Sequence, residues 1–108
     1  LVFSSDLPGS DWSPFYGLHS AMTREDTSGA PPGGWYPAQR MSAEEAVRGY
    51  TVWSAHAGFD DADGGPIAVG RRADFTVMTV DPFRAAPREL LRGSVVLTVS
   101  RGRVTYRR

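Results

Sequence analysis

The chain opens with Leu1-Val2-Phe3-Ser4-Ser5-Asp6-Leu7-Pro8, a short apolar run that ends in small polar residues, a carboxylate and a proline. A continuous apolar run of this kind favours a fully buried strand of a parallel sheet over a one-sided surface strand. A polar side chain at the carboxyl end of such a strand points to the place where barrel enzymes have their active sites. Asp6 is therefore the first catalytic candidate, although an Asp after a strand is more often a turn or cap residue.

A loop, a short helix and a long loop follow this opening segment. Proline, glycine and serine predict a loop over Pro8–Asp11, and apolar spacing predicts a helix over Phe15–Arg24. The segment Glu25–Arg40 is rich in glycine and proline, and a loop of this length is usually a functional lid or a surface excursion. Within it, Trp35 and Tyr36 are candidates for pocket lining, with packing as the other interpretation.

A second helix begins at Ser42-Ala43-Glu44-Glu45, which has the pattern of a capping box. The Ser42 hydroxyl can accept a hydrogen bond from the Glu45 amide, and the Glu45 carboxylate can accept one from the Ser42 amide. Apolar residues then recur at helical spacing, which predicts an amphipathic helix to Ala57 that Gly58 ends.

The second half of the chain is dominated by strand signals after a turn-rich acidic linker at Asp60–Gly65. One strand is predicted at Phe75–Val80, and one helical turn is predicted at Arg88–Arg92. The last two strands, Val95–Val99 and Val104–Tyr106, are expected to form a hairpin around Arg101-Gly102.

The composition excludes several kinds of chemistry. All twelve basic residues are Arg, so Schiff-base and carboxylated-lysine chemistry cannot come from this chain, and without Cys it has no thiolate ligand or thiol nucleophile. The formal net charge is zero, which gives no electrostatic case for binding nucleic acid or an anionic membrane. No signal-peptide pattern is visible at the amino terminus, and we expect a cytoplasmic protein.

The two histidines, His19 and His56, both fall in predicted helices, and neither has a second ligand four residues further on. A packed or surface histidine is the simpler interpretation of each. A zinc site needs three or four ligands, and no spacing unites these two with Asp6. A self-contained hydrolase that uses Asp6, His19 and His56 remains an alternative at this point.

Four segments together resemble a known family. Phe3–Pro8 resembles the Gly-Ser-Asp-Trp-Pro signature on the last barrel strand of the amidohydrolase superfamily, particularly its YtcJ-like branch. Three later segments are similar to successive motifs of that branch: Gln39–Thr51, Gly65–Met78 and Val99–Tyr106. The four matches occur in family order and span nearly the whole chain.

The resemblance implies an α/β fold, the C-terminal end of a (β/α)8 (TIM) barrel followed by part of a small β-sandwich domain. Residues 1–60 would hold the last barrel strand with its loop and helices, and residues 61–108 would hold sandwich strands. It also implies a metal-dependent hydrolase that uses metal-activated water on an amide or other non-peptide C–N bond of a small molecule. Asp6 matches the family's last-strand Asp, which binds the metal and serves as general base.

The sequence also departs from that family pattern. Ser4 replaces the usual Gly and Leu7 the usual Trp, and the His-x-His pair, the further histidines and any carboxylated lysine lie on strands that this chain lacks. Because the chain also starts at Leu1 inside an apolar run, we expect a C-terminal fragment. We expect a divalent metal, zinc, in the complete enzyme only. The chain alone would be inactive and would self-associate or pair with the missing N-terminal portion. The alternative is a non-catalytic, stand-alone binding or oligomerisation domain.

Overall fold

The computed structural model describes all 108 residues and places helices in the first half of the chain and strands in the second. None of the helices has the length and apolar character needed to cross a membrane. The helices are α1 (Pro14–Thr23), α2 (Ala43–Tyr50) and α3 (Val52–Ala57), with two 3-10 turns at Pro37–Gln39 and Pro87–Arg92. The strands are β1 (Phe75–Met78), β2 (Val95–Ser100) and β3 (Arg103–Arg107).

The three strands form one antiparallel sheet in the order β1-β2-β3. The predicted hairpin between β2 and β3 is confirmed, and its turn residues Arg101 and Gly102 both have positive φ, 49° and 74°. Two positive φ angles are the requirement of the turn that suits the twist of paired strands. β1 ends two residues before the predicted Val80, after a register shift between Val77 and Met78. The chain forms only this sheet, so the barrel and the sandwich stay predictions.

The predicted strand at Leu1–Phe3 is wrong for this chain, because residues 1–6 have no regular secondary structure. A parallel strand needs a neighbour along its edge, and all three strands of the chain already pair in the antiparallel sheet. The opening segment instead makes one main-chain hydrogen bond to a helix, from the Phe3 N–H to the Gly49 carbonyl oxygen at 3.1 Å. Leu1 is 75% exposed as a result.

The predicted continuous helix from Ser42 to Ala57 is also wrong, since it breaks at Thr51 into α2 and α3. The capping box at its start is confirmed, with the Glu45 N–H donating to Ser42 Oγ and the Ser42 N–H donating to Glu45 Oε2. At the break, Thr51 Oγ1 donates to the Val47 carbonyl oxygen at 2.8 Å. A side chain that bonds back to the preceding turn in this way competes with the regular helical ladder.

The core is small and joins the two halves of the chain. Its centre is Leu18 of α1, Ala46 of α2 and Leu90 of the 87–92 turn, all at most 3% exposed. The partly buried side chains around it come from the opening segment, from α1, from α2 and the residues before it, and from the segment after β1: Phe3, Ala21, Met22, Met41, Val47, Tyr50 and Val80. Because the 87–92 turn lies between β1 and β2 in sequence, its packing on α1 ties the sheet to the helices.

A second tie between the halves is an ion-pair cluster around Arg72. Its guanidinium contacts Asp60, which follows α3, and Asp74, which precedes β1, at 3.1 Å (Nη1 to Oδ1) and 2.5 Å (Nε to Oδ2) respectively. Asp74 Oδ1 also accepts a hydrogen bond from the Arg101 N–H at 2.5 Å. The Arg72 hydrogen bond lowers the pKa of Asp60, and the Arg101 amide followed by Arg72 lowers the pKa of Asp74.

This cluster predicts acid sensitivity of the linker that connects the helices to the sheet. A carboxyl group whose pKa is depressed in the folded state stabilises that state above its unfolded pKa of about 4, and this is lost as pH falls through the lower, folded pKa. We therefore expect the amide of Arg101 to gain hydrogen-exchange protection as pH rises through the depressed pKa values of Asp60 and Asp74, below about pH 4. Asp74→Asn should weaken this pH dependence, because Asp74 Oδ1 accepts the bond from the Arg101 N–H, whereas an unchanged profile in that variant would contradict the assignment.

Candidate functional site

Asp6 lies in a tight turn at the end of the opening segment. Its φ angle is 48°, in the left-handed region that Asp adopts more readily than most residues. The main-chain groups of Asp6 hold the turn. The Asp6 N–H donates to the side-chain Oγ of Ser4 at 3.2 Å, and the Asp6 carbonyl oxygen accepts from the Gly9 N–H at 2.6 Å. The exposed carboxylate itself makes no hydrogen bond within the chain, so it is free to contact a ligand, a metal ion or a reacting water.

The opening segment borders α1. Leu1 and Phe3 line a pocket together with Gly17 and Ala21 of that helix. The chain then passes Asp6 and enters α1 through Ser13, whose N–H donates to Asp11 Oδ1 at 2.7 Å. Asp6 therefore lies in the connection between the opening segment and α1.

The long loop at Glu25–Arg40 leaves from the end of α1 and returns to it, since the Met41 N–H donates to the Ala21 carbonyl oxygen at 2.9 Å. The loop is tied to the helix end by two hydrogen bonds of 2.9 Å, from the Trp35 N–H to the Arg24 carbonyl oxygen and from Arg24 Nε to the Trp35 carbonyl oxygen. Trp35 and Tyr36 are more than 60% exposed, and their rings contact each other edge to face with centroids 4.7 Å apart. Arg24 also lies over the Trp35 ring, 5.2 Å from its centroid.

The two histidines lie in different surroundings. His19 is fully buried, with Nδ1 3.1 Å from the Pro87 carbonyl oxygen and Nε2 3.2 Å from the Asp26 carbonyl oxygen. Its imidazole therefore joins α1 to the long loop and to the 87–92 turn. His56 is exposed, with Nδ1 3.5 Å from Asp61 Oδ2. The packed and surface interpretations hold for His19 and His56 respectively.

A complete metal site is not present within these 108 residues. No group of three or more His, Cys, Asp or Glu side chains converges anywhere in the chain, so the structure does not bring Asp6, His19 and His56 together. Zinc and similar ions need three or four protein or water ligands. The residues present fit such an ion only in part: Asp6 can provide one carboxylate ligand, and the other ligands would have to come from outside the chain.

A groove beside the start of α1 was not predicted from the sequence. It has a volume of about 580 Å³ and lies between the loop after Asp6 and the sheet. Its walls include Trp12, Phe15, Tyr106 and Arg108. These residues are far apart in sequence, and only the sheet-to-helix packing brings them together, so no local pattern could have indicated the groove.

The sequence model of the amidohydrolase family matches residues 1–106. The chain belongs to this family. An N-substituted formamide deformylase of Arthrobacter pascens is 35% identical over all of this chain and 19% of the relative. A Bacillus subtilis protein named as an amidohydrolase, YtcJ, is 31% identical over 94% of this chain and 19% of the relative. The Arabidopsis thaliana protein LONG AFTER FAR-RED 3 is 28% identical over 98% of this chain and 18% of the relative.

The chain therefore spans about a fifth of the length of the curated relatives it matches. No solved structure matches it significantly.

The free carboxylate of Asp6 leads to a stability prediction. Because no group of the chain depends on that carboxylate, we expect Asp6→Asn to change the free energy of unfolding by less than about 0.5 kcal/mol. Asn also tolerates the left-handed backbone at this position. The matched variant Asp60→Asn, which removes a carboxylate bonded to Arg72, should lower stability measurably in the same urea titration. Equal losses in both variants would show that Asp6 has a structural role.

Proposed function

We propose that this chain is the Asp6-bearing part of a hydrolase that cleaves an amide or other non-peptide C–N bond of a small molecule. The observation that carries the proposal is the placement of Asp6. Its unpaired, exposed carboxylate lies in the turn after the opening segment, inside the region that the amidohydrolase family model matches. In the complete enzyme we expect this segment to be the last barrel strand, and chemistry in barrel enzymes occurs at the carboxyl end of the strands.

The proposed role of Asp6 is to move one proton. Its carboxylate takes a proton from a water molecule as the water oxygen bonds to the substrate's carbonyl carbon. Asp6 then gives that proton to the leaving nitrogen as the C–N bond breaks, so the amine departs neutral and the carboxylate is regenerated. A divalent metal, zinc in our proposal, would make the water a stronger nucleophile when bound, with Asp6 as one of its ligands.

N-substituted formamides are the first substrates to test. The relative from Arthrobacter pascens is named for deformylation of such compounds, and its match covers the whole of this chain. Their hydrolysis breaks a C–N bond and releases formate and an amine, which a colorimetric amine assay can follow. The zero formal net charge of the chain gives no electrostatic case for a nucleic-acid substrate.

The proposal predicts a large loss of activity on removal of one carboxylate. In the full-length natural protein, Asp6→Asn should lower kcat for N-alkylformamides by about 10²- to 10⁴-fold, the usual contribution of a general acid–base group. The matched control is Asp63→Asn, which neutralises a carboxylate that makes no side-chain contact, and it should leave kcat unchanged. Wild-type kcat in Asp6→Asn would refute the proposed role of Asp6.

The stand-alone binding or oligomerisation domain remains the second candidate, and it is favoured by the amount of apolar surface that the chain exposes. Only nine of 108 residues are buried, and the sheet leaves Val77, Val104 and Tyr106 at least 42% exposed. Open sheet edges with exposed apolar side chains pair with other chains.

Sedimentation of the chain expressed by itself separates the two candidates. As part of a larger enzyme, the isolated chain should self-associate without a fixed size, with a sedimentation coefficient that keeps rising with concentration. A monodisperse species, either a monomer or an oligomer of one fixed size, that melts cooperatively would instead favour a domain that is stable without the remainder of an enzyme.

A further inference from the structure

We propose that Gly49 of α2 is a positioning residue for Asp6, and that it acts by holding the Phe3 ring in a notch. The inference rests on the proposed role of Asp6. Phe3 lies three residues before Asp6, and the Phe3 N–H donates the one main-chain hydrogen bond from the opening segment to a helix, at 3.1 Å from the Gly49 carbonyl oxygen. The position of Asp6 therefore depends on this contact between Phe3 and Gly49, in addition to the hydrogen bonds of its own turn.

The notch exists because residue 49 has no side chain. A Cβ atom at Gly49 would lie 2.6 Å from Cδ2 and 2.9 Å from Cε2 of the Phe3 ring. Carbon atoms in contact prefer separations of about 3.5–4.0 Å, so the ring would have to withdraw by about 1 Å to make room for one methyl group. Any other residue at position 49 therefore moves Phe3, Tyr50 or α2 itself.

Tyr50 closes the notch from the neighbouring position on α2. Its ring centroid lies 5.2 Å from that of Phe3, with the planes tilted by 55°. The hydroxyl end of Tyr50 rests on Gly17 of α1, where a Cβ atom would overlap it. Burial raises the pKa of Tyr50, in keeping with a half-buried phenol at the contact between α1 and α2. Phe3 is thus held by α2, and α2 is in turn set against α1.

The consequence for catalysis follows from the size of the displacement. A shift of about 1 Å in a catalytic group can cost about 10²-fold in rate, because proton transfer requires the carboxylate within hydrogen-bonding distance of the water. A substrate that binds through other residues would keep its affinity. Displacing Phe3 should therefore lower kcat and leave KM nearly unchanged.

The test uses four variants of the full-length natural protein: Gly49→Ala, Phe3→Leu, the double variant and Gly58→Ala. We expect Gly49→Ala to lower kcat for an N-alkylformamide by about 10²-fold, with KM within about twofold of wild type. Phe3→Leu removes the ring atoms that the new methyl group meets, so the double variant should regain at least about tenfold of the lost kcat. Gly58→Ala adds the same methyl group at the end of α3, where it meets ordinary contacts of 3.4 Å and 3.6 Å, and should match wild type.

A second readout does not depend on activity. In metal-free protein, hydrogen exchange of the Phe3 amide should be faster in Gly49→Ala than in wild type, and slower again in the double variant. If Gly49→Ala does not fold, Phe3→Leu alone should still show faster exchange at residue 3 and a lower kcat.

Three results would overturn the inference. The first is a kcat and a residue-3 exchange rate in Gly49→Ala that both equal those of wild type. The second is a rise in KM that accounts for the whole loss of kcat/KM, and the third is a folded double variant in which Phe3→Leu restores no kcat.

Asp6→Asn, assayed beside these variants, keeps the two proposals separate. An active Asp6→Asn protein refutes the proposed function. An inactive Asp6→Asn protein with a wild-type Gly49→Ala protein refutes only the positioning role.

Discussion

Packing of the 87–92 turn against α1 is the contact on which the arrangement of the chain depends. Leu90 contributes a fully buried side chain to the core, and the Pro87 carbonyl oxygen contacts the buried imidazole of His19. The turn is the connection between β1 and β2, so its position fixes where the sheet lies relative to the helices. Truncating a buried leucine typically costs about 2–5 kcal/mol, a large fraction of the stability of a small domain.

The same helix is bonded to the loops at both of its ends. At its start, the Ser13 N–H donates to Asp11 Oδ1 in the loop after Asp6, and at its end Arg24 donates to the Trp35 carbonyl oxygen in the long loop. The positions of both loops therefore depend on α1.

Sequence patterns succeeded where the deciding interactions were local. The capping box at Ser42 and the hairpin turn at Arg101 both depend on residues within a few positions of each other, and both are present. The strand at Leu1–Phe3 failed because its formation depends on neighbouring parallel strands, which these 108 residues do not provide. The prediction of a continuous helix through Thr51 failed for another reason. The Thr51 hydroxyl donates to the Val47 carbonyl oxygen, which the periodic pattern assigned to the main-chain bonds of the helix.

The candidate site was foreseen only in part, for the same physical reason. Asp6 could be singled out from the strand-end pattern and the family resemblance, and its carboxylate is unpaired in the structure. The notch at Gly49 could not, because a glycine carries no signal of which distant side chain will fill the space above it. The family match from residue 1 to residue 106 accounts for the order of the segments but not for this contact.

The central claim is that Asp6 meets the reacting centre of a metal-dependent hydrolase. The most direct measurement is a crystal structure of the full-length natural protein grown with zinc, with anomalous scattering recorded at the zinc edge. The account predicts a zinc peak about 2.0–2.2 Å from an Asp6 carboxylate oxygen, within a site completed by ligands from outside residues 1–108. A fully ligated zinc site that leaves Asp6 in bulk solvent would contradict it.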